Sequence, residues 1–74
     1  MDIKGEIGLR IREIREKKNL SQQELANAAD MERSFITHIE SGKTNISVET
    51  LQKIISAFGT SFKDFFDHTL FSKA

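Results

Sequence analysis

Seventy-four residues allow one domain, near the lower size at which a chain buries enough core without staples, and the reading takes 1–74 as that domain with a core of about 6–67. The absence of cysteine excludes disulfides and thiolate metal sites, and two histidines thirty residues apart make no ligand cluster, so neither metal nor cofactor is expected. The formal net charge is +0, with eight of eleven basic and eight of eleven acidic residues before Thr44, so only folding could gather a basic surface. No apolar run reaches the length of a membrane span and MDIKGEIG lacks the apolar stretch of a signal peptide, which fits a cytoplasmic protein that does not enter a membrane.

In chain order, the pattern predicts five helices and no strand. The first runs from about Glu6 to Lys18, with Ile7, Ile11 and Ile14 at i, i+4 and i+7 and with Lys17 and Lys18 at the end that favours cations. Leu9 lies off that stripe. The second, about 22–29, is announced by a capping box in which Ser21 accepts from the amide three residues on while Glu24 reaches back. Leu25, Ala29, Met31, Ile36 and Ile39 place apolar faces on this helix and the next, so the two can close on each other across a tight corner. Small Ala26 sits one turn before Asp30, where two helices joined by so short a turn must nearly touch. Gly42 ends the third helix as a left-handed cap, and residues 43–46 form a loop. The fourth starts at a Ser47 cap and runs to Phe58 with Val48, Leu51, Ile54, Ile55 and Phe58 inward, and Gly59 stops it. The fifth starts at Ser61 and carries Phe62, Phe65 and Phe66.

On the third helix Arg33, Ser34, Thr37, His38 and Ser41 recur at helical spacing opposite Ile36 and Ile39. Alone, such a polar face is an ordinary solvated surface. The ordered set LSQQELA, Met31, RSFITHIESGK, NIS and LQKIISAFGTSFKDFF, however, resembles the helix-turn-helix of the phage repressor/Cro family, also called the Xre family, over roughly residues 6–67. Two positions depart from that pattern: Asp30 stands at a corner that is usually glycine, and Glu32 begins a helix often opened by serine or threonine. Aspartate tolerates the left-handed conformation, and glutamate suits the helix dipole although it caps poorly.

The resemblance implies an all-α, compact five-helix repressor-like domain that binds double-stranded DNA and carries no catalysis. It makes Arg33, Ser34 and Thr37 the leading base readers, with His38 and Ser41 second. Arginine can grip guanine bidentately, and serine or threonine can donate, accept or place a methyl. Gln22 at the start of the second helix becomes a phosphate contact, joined by Lys43, Asn45 and, more weakly, Arg10. Arg15 and Glu40 become a bridge between the first and third helices, a structural pair rather than ligands.

Five of the six phenylalanines fall between Phe58 and Phe71, more than a core of this size readily absorbs. The family covers the equivalent region with a second copy, which assigns Phe62, Phe65, Phe66, Leu70 and Phe71 to a homodimer interface; the competing reading places all the phenylalanines in the core or folds Leu70 and Phe71 back on their own chain. The stand-alone controller proteins of restriction-modification systems share this size, the R-S-F-I-T segment and the NIS loop. A rival reading is an antitoxin that masks a toxin and regulates its own operon, which leaves a toxin or RNA polymerase as candidate further partners. A transferase is disfavoured, since no Gly-rich phosphate loop or catalytic Ser/His/Asp set appears.

Overall fold

The computed structural model describes residues 2–72. Five α-helices follow in order: α1 (Ile3–Lys17), α2 (Gln22–Ala28), α3 (Arg33–Glu40), α4 (Val48–Phe58) and α5 (Phe62–Phe66), and then a single 3-10 turn at Thr69–Phe71. Among the described residues there is no strand.

The punctuation expected from the sequence operates locally. Ser21 and Glu24 close the capping box at α2, with Glu24 N to Ser21 Oγ at 3.0 Å and Ser21 N to Glu24 Oε1 at 2.8 Å. Ser47 and Ser61 accept from the third amide of α4 and α5 in the same manner, and Gly42 and Gly59 leave α3 and α4 in the left-handed region. The first helix differs from expectation at its start. Asp2 caps it, accepting from the Gly5 amide at 3.4 Å, so α1 gains a turn before Glu6. At its other end Asn19 takes a left-handed φ of 58°, a conformation asparagine adopts at little cost.

Helix α1 lies against α3, α2 against α3 and α4, and α4 against α5, so their apolar faces enclose one core. Ile11, Leu25, Ala26, Ile36, Ile54 and Phe65 at its centre are wholly buried. Two expectations fail here. Val48 is 72% exposed because the first residue of α4 projects beyond the elements that cover the rest of that helix. Phe65, assigned by sequence to a partner, is 0% exposed and belongs to the core.

The chain after α5 also turns inward. The 3-10 turn rests on α1, where His68 Nε2 approaches Glu13 at 3.3 Å and His68 Nδ1 accepts from the Leu70 amide at 3.0 Å. Phe71 meets Phe66 edge-on at 4.9 Å between ring centres, and Phe66 meets Phe65 edge-on at 5.0 Å. Phe66, Leu70 and Phe71 are therefore half-buried within their own chain, as the competing reading held. Of the residues assigned to a partner, Phe62 alone is exposed.

Candidate nucleic-acid interface

The site is built at the corner between α2 and α3. Ala26 is completely buried there, and its carbonyl accepts from the Met31 amide at 2.8 Å, which closes the turn. Asp30 supplies the left-handed residue that the corner needs, with φ 57°. Glu32 then opens α3 without a side-chain cap, in keeping with the weak capping of glutamate.

Two contacts fix the angle of α3 against α1. Gly8 faces the last turn of α3 so closely that a Cβ there would lie 2.3 Å from the Ile39 carbonyl oxygen and 2.9 Å from that of Glu40, both backbone atoms. Only glycine permits this approach. About two turns further on, Arg15 grips Glu40, with Nε to Oε2 at 2.7 Å and Nη2 to Oε1 at 3.1 Å, while Nη1 donates to the Leu20 carbonyl at 2.7 Å. The side chains are 12% and 5% exposed. Glu40, hydrogen-bonded to Arg15, raises the pKa of the guanidinium further, against the opposing effect of burial, so the cation is locked on. This is the bridge that the resemblance implied.

The bridge extends outward. Gln22 Nε2 donates to Glu40 Oε1 at 3.1 Å, and Gln22 Oε1 accepts from the Thr37 hydroxyl at 2.9 Å. The amide oxygen and one of the two amide protons of Gln22 are thus engaged within the protein, which gives it a positioning role between the anchor and the outer face of α3. The second amide proton is left for the phosphate contact that the resemblance implied.

Arg33, Ser34, Thr37, His38 and Ser41 are all exposed along that face, together with Lys43 and Asn45 in the following loop. Ser41 Oγ donates to the His38 carbonyl at 3.0 Å, which also accepts from the Lys43 amide at 3.1 Å, so the last turn of α3 is closed twice at this carbonyl. Arg10, by contrast, is withdrawn from any such surface. Its Nε donates to the Phe65 carbonyl at 2.6 Å, Nη2 to the Asp64 carbonyl at 2.9 Å, and Nη1 pairs with Glu13 at 2.6 Å. At the end of this five-residue helix Arg10 gives the Phe65 carbonyl a partner and adds a second donor to the Asp64 carbonyl, which also accepts from the Asp67 amide at 3.3 Å. It is a strut for α5, which corrects its assignment to phosphate.

Sequence reasoning passed over Arg12. It lines a groove with Arg15, Gln22, Thr37, Glu40 and Ser41, and its guanidinium is solvent-facing and paired with Glu16 at 3.2 Å. Its position one helical turn before Arg15 was the available signal. Among the described residues, no group of three or more His, Asp or Glu could hold a metal ion, and no helix is long and apolar enough to cross a membrane.

Comparison with known proteins agrees with this geometry. The family model described as Helix-turn-helix matches residues 11–65, which include the α2–α3 corner, Arg15 and Glu40 of the bridge and the whole of α4. The chain belongs to the helix-turn-helix family. Within it, the sequence is 41% identical over 63 residues to Control protein C.BamHI of Bacillus amyloliquefaciens, covering 84% of this chain and 78% of that protein. It is 36% identical over 66 residues to Control protein C.MunI of a Mycoplasma species, covering 88% of this chain and 89% of that one. The fold superposes with a TM-score of 0.82 and 27% identity on the restriction-modification controller protein C.Esp1396I, solved as a tetramer in complex with its natural operator, over 85% of this chain and 83% of that chain. As an all-α helix-turn-helix protein, the chain is a transcription regulator.

Proposed function

We propose that this regulator binds a partly palindromic operator as a homodimer, with α3 of each copy entering successive major grooves, and that it controls a restriction-modification system. The observation that carries this reading is the outward row Arg33, Ser34, Thr37, His38 and Ser41 on a helix whose opposite side is fixed by the Gly8 contact and the Arg15–Glu40 bridge. A helix reads base edges when the side chains of one face can reach the groove and its axis is held.

Lys43 and Asn45, with Arg12 at the edge of the groove, serve the phosphates on either side, which gives a neutral chain a local cationic rim. Phe62 is the exposed apolar anchor for the second copy. The protein acts in the cytoplasm by binding alone, without catalysis, and its own concentration sets occupancy through dimerisation.

Selection from random duplex DNA tests the reading. It should return an inverted repeat whose half-site centres lie about one helical turn apart, roughly 10 bp or 34 Å. Recovery of unrelated sequences, or binding that tracks salt alone, would refute it. Co-purification from the native host decides whether a toxin or RNA polymerase joins the complex.

A further inference from the structure

The Thr37 hydroxyl stands on the outer face of α3 but is not a free rotor. Two oxygens lie within hydrogen-bonding reach, Gln22 Oε1 at 2.9 Å and the Arg33 carbonyl at 3.2 Å. The orientation of the Gln22 amide follows from its other end. That end lies 3.1 Å from Glu40 Oε1, and a carboxylate clasped by the Arg15 guanidinium only accepts. The amide nitrogen must therefore face Glu40, and the amide oxygen must face Thr37. A hydroxyl has one proton. Here both neighbours that could take it are acceptors belonging to the protein, and turning it towards a base would leave lone pairs opposed across 2.9 Å.

We propose that Thr37, with its proton held by Gln22, presents only acceptor lone pairs and a methyl group to the major groove and so selects an amino-bearing base, adenine or cytosine, over guanine. The inference rests on reading α3 as the base-reading helix. Adenine N6 and cytosine N4 carry donors, whereas guanine shows only acceptors there, O6 and N7. Gln22 is the positioning residue that sets this polarity, although it touches no base. The bridge of Arg15, Glu40 and Gln22 thereby reaches beyond stability into base preference.

The test titrates the wild type, Thr37→Val and Gln22→Met against duplexes carrying each of the four bases at the half-site position where Thr37→Val alters preference. The wild type should favour adenine or cytosine over guanine there by about three- to tenfold, the worth of one hydrogen bond. Thr37→Val should level that difference. Gln22→Met leaves the Arg15–Glu40 pair in place and removes the nearer of the two acceptors, so that only the Arg33 carbonyl at 3.2 Å competes for the proton and guanine should gain on the amino-bearing bases, by up to about threefold, at this position alone.

Guanine as the preferred wild-type base, no position sensitive to Thr37→Val, or a uniform loss on every duplex with Gln22→Met would overturn the proposal. A folded wild type with no sequence preference would instead refute the role of α3 itself, and the proposal with it. Thr37 is exposed, so Thr37→Val leaves the core intact, and the wild-type preference decides even where Gln22→Met does not fold.

Discussion

Removing the charge from Glu40 should unfold this domain more readily than any change on its outer face. Glu40 accepts three hydrogen bonds, two from Arg15 and one from Gln22, with a side chain only 5% exposed. In Glu40→Gln the guanidinium keeps its Leu20 carbonyl but faces a neutral amide, half of which is itself a donor. Breaking a buried pair from one side costs about 3–5 kcal/mol; the 12% exposure of Arg15 argues for the lower end, about 3 kcal/mol. Arg15→Met, which keeps the aliphatic stem, leaves Glu40 held by Gln22 alone and should cost a similar amount. The double variant strands no charge, so its loss should fall short of the sum by about 2–3 kcal/mol. In a domain of this size each kcal/mol moves Tm by about 4–8 °C, so the single variants should melt well below the wild type. Urea unfolding followed by circular dichroism, run as a double-mutant cycle, reads the coupling directly. Additivity within about 0.5 kcal/mol would show that the pair is an incidental contact and that α3 is held by packing alone.

Other outcomes follow from the same contacts. Gly8→Ala should destabilise by about 1–3 kcal/mol or more because its Cβ meets backbone on α3, whereas Gly5→Ala, which meets only the Asp2 carboxyl at 3.3 Å, should be neutral or stabilising; equal Tm values for the two would contradict the close approach. Arg33→Ala should lose roughly 1–3 kcal/mol of operator affinity and relax one base per half-site, while equal loss on random DNA would reassign it to phosphate. Phe62→Asp places an acid where the start of α5 accepts one, so it should yield a folded monomer by sedimentation that still binds a single half-site; a persistent dimer would move the interface elsewhere. Arg10, hydrogen-bonded at 2.6 Å, holds the Glu13 carboxyl below the usual carboxylate range, with His68 assisting and burial opposing. Its stabilising contribution is complete above the ordinary glutamate pKa and disappears as pH falls through the lowered one. Glu13→Gln should therefore lose stability less steeply than the wild type across that acid range, and parallel Tm curves would rule the link out.

Local chemistry explains which parts of this structure were legible beforehand. Serine caps at 21, 47 and 61, the glycine exits at 42 and 59, and the left-handed Asp30 act within four residues of themselves, so their signals survive in a linear string. The turn that Asp2 caps lies before the apolar stripe that begins at Ile7, and although glycines at 5 and 8 lower its propensity, packing of α1 on α3 outweighs that loss. Periodicity placed Phe65 on a face but could not say that the face was the core, nor that Phe71 would return to cover Phe66. Arg10 was misassigned, and the internal bonds of Gln22 were not legible, for a related reason. Their partners include carbonyls and side chains brought near by the tertiary fold, 55 and 54 residues away for the two carbonyls that Arg10 holds and 18 and 15 for the partners of Gln22.

The meeting of α1 and α3 at Gly8 also bears on how such a protein could acquire a new operator. Many helix pairs can be re-tilted by enlarging or trimming a side chain between them, but here backbone lies on backbone and there is nothing to trim. The angle of the reading helix is therefore closed to gradual variation at this point. Divergence must proceed by exchanging Arg33, Ser34, His38 and Ser41, which contribute nothing to the core, and relatives with different targets should superpose on one another through α1 and α3 even where those four residues share no chemistry.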